Sequence, residues 1–475
     1  MIQLAKRRSM EDGGSNKIWQ KGDSCGATDS ERYLSVLARR AFLNFWSYSN
    51  PYTNESGGRE LCDFLVVFGN SVVIFSDKNC KFPSGGMEVA WPRWYRSAVE
   101  KSVNQLRGAA SFIDRFPDRI YLDAECKQPL PIPIPPMEVR KVHLVAVTRG
   151  SADACKKYFG HGSSSSLVIN TAIEGREHEK NPFMVGWPLK ERRFVHVLDE
   201  LTLDVVLNEL DSATDFIEYL EKKEAYLSSE GFSFFFTGEE DLLADYILNP
   251  MPNLMGFSFA PLPGGGSFER RGLVVGQEGR WIQLCASNEY KIHKKSLEVS
   301  YEWDKLIEHQ TTHISRNTAG VVAKWGSVTD IAAHEAVLRA MAEESRLSRK
   351  ELAKAHQSIL MRKFDGDRLS AIVSLPHRPD RAYVLMVLKR PDDMDYDLYR
   401  EFRRNSLVGL CRASRLRLSG IKEIVGIASE QSDSSGVTQD FILMKFRDEL
   451  DSDGKVREIS DLRAAGIWKD EWVCA

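Results

Sequence analysis

The sequence predicts a two-domain α/β protein, and three observations carry that expectation. At 475 residues the chain exceeds what one ordinary hydrophobic core organises. Apolar runs of strand length, such as Asp63–Phe68, Ser71–Phe75 and Val142–Val147, alternate with stretches of helical periodicity, the pattern of layered α/β folds. Around residues 249–272 the composition turns to Pro, Gly and Arg, as in Asn249-Pro-Met-Pro and Pro261-Leu-Pro-Gly-Gly-Gly266, which marks a boundary. We expect a flexible segment over 1–27, a first domain with a helical extension over 28–255, and a second α/β (α+β) domain over 256–475.

Within the first domain, Thr28-Asp-Ser-Glu31 has capping-box spacing and opens a helix with the stripe Leu34, Ala38, Ala41 and Phe45, closing before Asn50-Pro51. A β-hairpin follows. A loop from Lys81 to Trp91 leads to a second helix near Arg93–Asp114, striped by Tyr95, Val99, Val103, Leu106, Ala110 and Ile113. The proline-rich 129–136 is an extended connector. Val142–Val147 is apolar throughout, as a strand buried on both faces requires. Leu167–Asn170 and Phe194–Leu198 are further strands. Helices follow over Leu201–Leu210 and Thr214–Leu227, the second capped by Asp211 or Ser212.

In the second half we expect strands at Trp281–Ala286, Tyr383–Lys389, Glu423–Ala428 and Phe441–Phe446. Helices are expected around 329–345, 348–362 and 396–411, with Ser348-Arg-Lys-Glu351 as a second capping box.

Composition bounds function only loosely. A net charge of −3 gives no global attraction to nucleic acid, so any such binding must be local. No apolar run approaches the ~20 residues of a membrane helix, and no leader pattern follows Met1. The eight cysteines are scattered without a CxxC pair, which fits a reduced, cytoplasmic setting better than a disulfide framework or a structural zinc site.

The most informative stretch is Glu60-Leu-Cys-Asp63 through Ser76-Asp77-Lys78. Gly69-Asn70 is a two-residue hairpin connection, and it sets the register. Phe68 pairs with Ser71, Val66 with Val73 and Asp63 with Ser76. Alternation then places Asp63, Ser76 and Lys78 on one face, and Glu60 and Asp77 on the other.

A helix with Glu31, then Asp63, then a strand ending Ser76-Asp77-Lys78, then a helix with Gln105 resembles the core of the PD-(D/E)xK restriction-endonuclease-like nucleases. The likeness covers roughly residues 28–150. It implies an αβββαβ core that hydrolyses phosphodiester bonds of nucleic acid, expected to be DNA, with Mg²⁺ or Mn²⁺. In that reading Asp63 binds the metal with Glu31 in support, Lys78 orients or activates water, and Gln105 is a supporting glutamine. The resemblance also implies a role in bacterial anti-phage defence, as a homo-oligomer or with a defence-system partner protein. Mg²⁺ takes oxygen ligands and keeps several waters, so two carboxylates with backbone carbonyls are enough.

The departure from the pattern is Ser76, which stands where the family carries an acidic residue two before the lysine. Three readings stay open. The missing carboxylate comes from a helix, with Glu31 the first candidate and Glu100 the second; or Ser76 is a neutral or water-mediated ligand; or the chain is a catalytically inactive nuclease-like interaction or nucleic-acid-binding protein. Asp77 enters only if a bulge shifts the register by one residue.

Each residue also has a structural reading. Asp63 can cap a turn, Glu31 can serve only the capping box, Lys78 can be a strand-end lysine, and Gln105 can make a structural hydrogen bond. Elsewhere, Arg403, Arg404, Arg412, Arg415 and Arg417 form a basic segment that either tracks a phosphate backbone or is a solvated helix face. Trp91 and Trp94 either stack on bases or anchor the core. His143 and His196 sit inside apolar runs and read as core residues or neighbours of a site. His309 and His313 have helical ligand spacing without a third ligand and read as surface residues. Gly264-Gly-Gly266 lacks a following Lys-Ser/Thr, so no phosphate loop is expected, and a small-molecule enzyme has no nucleophile or nucleotide motif to support it.

Overall fold

The structure is a computed structural model that describes residues 28–160, 164–189, 193–251, 253, 255–262, 272–315, 331–431, 438–447 and 450–468. The expected flexible segment 1–27 and the glycine run 264–266 lie outside these residues, as does the side chain of His313.

The first helix, α1 (Asp29–Phe42), begins at Thr28 with both halves of the expected capping box. It ends earlier than its stripe suggests. Leu43 takes a left-handed φ of 59°, which stops the helix, and Phe45 packs outside it. The released chain forms a strand not foreseen from the sequence, β1 (Ser47–Ser49), which pairs antiparallel with β2 (Phe64–Phe68). β2 pairs antiparallel with β3 (Ser71–Asn79) in the expected register, Phe68 opposite Ser71 and Val66 opposite Val73. Gly69 supplies the positive φ, 57°, that the tight turn demands.

The second helical stretch starts at Met87 rather than Arg93. It runs as α2 (Met87–Tyr95), a π turn (Arg96–Glu100) and α3 (Lys101–Arg115). Pro92 in α2 and the π turn obscure the 3.6-residue period at its start. β4 (Lys141–Arg149) then returns parallel to β3, and β5 (Val195–Asp199) lies parallel to β4. The five strands stand in the order β1-β2-β3-β4-β5.

Helices cover both faces of this sheet. On one, α3 packs against β3 through Ser102 and Ser76. On the other lie α1, α4 (Glu200–Glu209) and α5 (Ala213–Leu227), where Phe42, Phe75 and Phe216 form an aromatic cluster with centroids 5.2–6.2 Å apart. Ser212, one of the two expected caps, opens α5. The strand residues are buried on both faces, which explains their near-continuous apolar character.

A second sheet holds Val168–Glu174, Met184–Trp187, Phe232–Phe236 and Gly272–Val275. The C-terminal sheet is Arg368–Leu375, Arg378–Leu388, Glu423–Glu430 and Gln439–Lys445, with the helix Tyr396–Arg417 on one face. A buried ion pair, Arg346 with Asp211, and a buried hydrogen bond, Trp46 to Glu335, join the two halves of the chain. Arg346 reaches Asp211 at 2.8 Å and Asp304 at 2.6 Å, and Trp46 donates to Glu335 at 3.0 Å.

Two expectations in the second half are corrected. Trp281–Ala286 is not a strand but lies in the helix Arg280–Ala286, because the Asp241 carboxylate accepts from the backbone N–H groups of Gly279 and Trp281 and caps it. The cap of Arg346–Met361 is Ser345, not Ser348, since Ser345 Oγ accepts from the Ser348 N–H. Among the described residues no helix is long and apolar enough to cross a membrane, and none of the six described cysteines is in a disulfide.

Candidate functional site: a carboxylate cluster at the mouth of the hairpin

Asp63 sits at the entry to β2 and is almost fully buried, and Lys78 lies near the end of β3. Alternation puts both on the α3 face, and Lys78 Nζ stands 3.5 Å from Asp63 Oδ2. The same oxygen accepts from the Asp77 backbone N–H, and Oδ1 accepts from Gln105 Nε2 at 3.3 Å. The carboxylate is therefore fixed by an amine, a main-chain amide and a side-chain amide.

Ser76 is fully buried, and its hydroxyl donates to Gln105 Oε1 at 3.0 Å and neighbours Ser102 Oγ at 3.3 Å. The serine thus orients Gln105, and Gln105 orients Asp63. Asp77 faces the other way, into a two-pronged ion pair with Arg149 at 3.0–3.2 Å. Burial raises its pKa while Arg149 opposes that rise. β3 and β4 pair without a register shift from Ser71 to Asn79, so no bulge turns Asp77 towards Asp63. Glu100 is exposed on the π turn.

The sequence placed Glu60 on the far face, and the structure corrects this. Leu61 and Cys62 belong to no strand, and two hydrogen bonds bend the chain there: Leu61 N–H to Pro51 O at 2.8 Å, and Asn50 N–H to Asp63 O at 3.1 Å. Alternation fails across the bend. Glu60 comes near enough to Asp63 for the two acids to influence each other's ionisation. Glu60 is exposed along its edge, yet partial desolvation and then the negative charges of Asp63 and Glu31 raise its pKa, with the hydrogen bond from Asn50 opposing.

Asn50 was not singled out from the sequence. It takes a left-handed φ of 46°, which Asn tolerates better than most residues. Its Nδ2 donates to Glu60 Oε1 at 2.9 Å and lies 3.5 Å from Glu31 Oε2. Its Oδ1 is buried without a hydrogen-bond partner. Glu31 serves both the capping box and this cluster.

Glu31, Glu60 and Asp63 offer hard carboxylate oxygens, the ligand type of Mg²⁺ or Mn²⁺. Among the described residues, however, these three do not bring ligand atoms within 4.8 Å of one another, as His143, His196 and Glu224 do. An open groove of about 590 Å³ runs past Lys78, Glu60 and Gln105 and is also lined by Arg59, Lys101 and Arg115.

Arg403 does not belong to an exposed basic face. Arg403 is fully buried, paired with Asp440 at 2.6 Å and Glu430 at 3.3 Å. Arg412 pairs with Glu458 at 2.5 Å, and Arg415 and Arg417 lie over the rings of Phe446 and Trp468. Arg404 is half-buried on the same helix. The run looked like a phosphate-tracking stripe because sequence shows charge without its partners. Trp91 and Trp94 are buried, their ring N–H groups bonded to His178 O and Cys80 O, so they anchor the core.

Comparison of the chain with protein-family models, curated proteins and solved structures found no match.

Proposed function

We propose that the chain is a divalent-cation-dependent nuclease whose reacting centre is Asp63, Glu60, Glu31 and Lys78. The observation that carries this reading is the 3.5 Å approach of Lys78 to the Asp63 carboxylate inside a cluster of mutually repelling acids. The connectivity of helix, three antiparallel strands, helix and parallel strand is the order that restriction-endonuclease-like cores share, and it supports the same reading. Glu60 stands in for the acid absent at Ser76. The neutral-ligand reading of Ser76 is weakened by the complete burial of the serine beneath α3.

Asp63 and Glu60 would hold the cation, with Glu31 in support. When bound, the cation offsets charge on the scissile phosphate and makes its water a better nucleophile. Lys78 supplies a proton-bearing amine beside that centre, able to hold a water in line through hydrogen bonding. Gln105 and the Asp77 N–H keep Asp63 from rotating. Arg59, Lys101 and Arg115 give the groove local positive charge for a phosphate backbone, which the overall charge of −3 does not supply.

The test is cleavage of labelled single- and double-stranded DNA and RNA by the full chain, with Mg²⁺ or Mn²⁺ and with chelator. Asp63→Asn and Lys78→Ala should each lower the rate by roughly 10²–10⁴-fold while leaving the fold intact. Unchanged cleavage in both variants removes the proposal. A second reading, binding of nucleic acid without cleavage, draws on the neutral Ser76 and predicts retention on DNA with no metal-dependent product.

A further inference from the structure

We propose that His143, His196 and Glu224 form a second metal site, for a zinc-class transition-metal ion, on the face of the sheet remote from Asp63. His143 lies on β4, and His196 lies on the neighbouring parallel strand β5, opposite Val145. Residues 143 and 145 share a face, so both imidazoles project to the same side. His143 pairs with Val73 on β3, which places that side with Val73 and Phe75 and opposite Ser76. α5 crosses over it and contributes Glu221 and Glu224, one helical turn apart.

One ligand atom from each of His143, His196 and Glu224 lies within 4.8 Å of the others. Tetrahedral zinc with bonds of about 2.0–2.2 Å sets its ligand atoms ~3.4 Å apart, a gap that a glutamate side chain closes by a rotamer change. The independent observation is that both rings are buried, 4% and 1% exposed, and all four ring nitrogens are buried without a hydrogen-bond partner. Folded proteins rarely leave so many polar atoms orphaned together, and an ion engages one from each ring.

The charges around the pair suit neutral imidazoles with free lone pairs. Burial lowers the pKa of His143 to about 4 and that of His196 well below the ordinary value. Glu221 stands 3.9 Å from His143 Nε2 but is paired with Lys141 at 3.0 Å. Lys223 is buried against Glu239, and Arg193 opposes the rise that burial and Glu221 impose on Glu224. Two imidazoles and a carboxylate select zinc or its neighbours over Mg²⁺. Glu221 or water completes the coordination. Held by two buried imidazoles from neighbouring strands, such an ion is a staple joining β4 and β5 to α5 rather than a reaction centre.

The test uses chelator-treated full chain held in excess Mg²⁺, so that the carboxylate cluster is saturated, and titrates it with ZnCl₂ by calorimetry. One equivalent should bind, with a rise of roughly 3–5 °C in melting temperature at a hundredfold excess over Kd. CoCl₂ should give the visible absorption of a four-coordinate ion. His143→Leu should abolish uptake, and Glu224→Gln should weaken it at least tenfold. Should His143→Leu fail to fold, Glu224→Gln on the helix surface decides alone. No uptake by the native chain overturns the proposal, as does uptake unchanged in Glu224→Gln. Uptake lost in Asp63→Asn overturns it too, because the ion then sits at the other cluster.

Discussion

Glu60 and Asp63 stand an odd number of residues apart, yet the negative charge of Asp63 raises the pKa of Glu60, so the two side chains are neighbours. In a continuous strand they would face opposite sides of the sheet. The bend at Leu61–Cys62, held by the Pro51 carbonyl and the Asn50 amide, brings them together. If this pair is the cation site, Glu60→Gln should weaken Mg²⁺ binding and lower cleavage by roughly 10²-fold, less than Asp63→Asn. Calorimetric Mg²⁺ titration alongside a cleavage assay checks this. Identical Mg²⁺ affinity in the native chain and Glu60→Gln would show that the glutamate takes no part.

The same pair sets a pH dependence of stability. Partial desolvation and the charges of Asp63 and Glu31 raise the folded-state pKa of Glu60. The fold therefore favours the neutral acid. Its contribution to stability is complete below the ordinary glutamate pKa and is lost as pH rises through the raised value. In chelator at pH 7–8 the ionised Glu60 works against folding, so Glu60→Gln should melt at a higher temperature than the native chain. Near pH 4 the two should converge, and Mg²⁺ should close the gap at neutral pH. Thermal denaturation across that range is the measurement, and a Gln variant that melts lower at pH 8 contradicts the account.

The two groups of arginines should separate cleanly. Lys101→Ala and Arg115→Ala alter the groove and should each reduce the slope of log affinity against log salt for nucleic acid by about 1, without changing stability. Arg403→Ala strips two buried carboxylates of their partner and should cost about 3–5 kcal/mol of stability. Its nucleic-acid affinity, measured below the melting transition, should stay at the native value. A loss of affinity in Arg403→Ala without a stability loss would restore the helix Tyr396–Arg417 as a binding face.

How much was legible in the sequence follows from where the determinants lie. Asp63 and Lys78 could be placed on one face because strand parity and the Gly69-Asn70 turn are local. Gln105 was legible because its helix neighbours are small, although the π turn shifts where that helix begins. Glu60 was not, because the bend that moves it is made by Asn50 and Pro51 across the sheet. The helix Arg280–Ala286 was hidden for a similar reason: its cap, Asp241, is distant in sequence. Arg403 misled because a guanidinium in a fully buried ion pair and one in water are the same letter. His143 and His196 were visible as histidines in apolar strands, but their neighbour Glu224 comes from a helix whose packing no local pattern records.

Ser76 and Gln105 should act as one unit. The Ser76 hydroxyl donates to Gln105 Oε1 at 3.0 Å, and Gln105 Nε2 donates to Asp63 Oδ1 at 3.3 Å. Ser76→Ala deprives the half-buried Gln105 oxygen of that donor, at a cost of about 0.5–1.5 kcal/mol. It should also loosen the amide that positions Asp63 and so lower cleavage without altering nucleic-acid affinity. Gln105→Met should do the same. Because both act through one chain of hydrogen bonds, the double variant should lose less than the sum of the singles, with a coupling of roughly 0.5–1.5 kcal/mol in stability. Denaturant titration of the four proteins in the cycle gives that coupling directly, and simple additivity would mean that Ser76 packs against the helix without orienting Gln105.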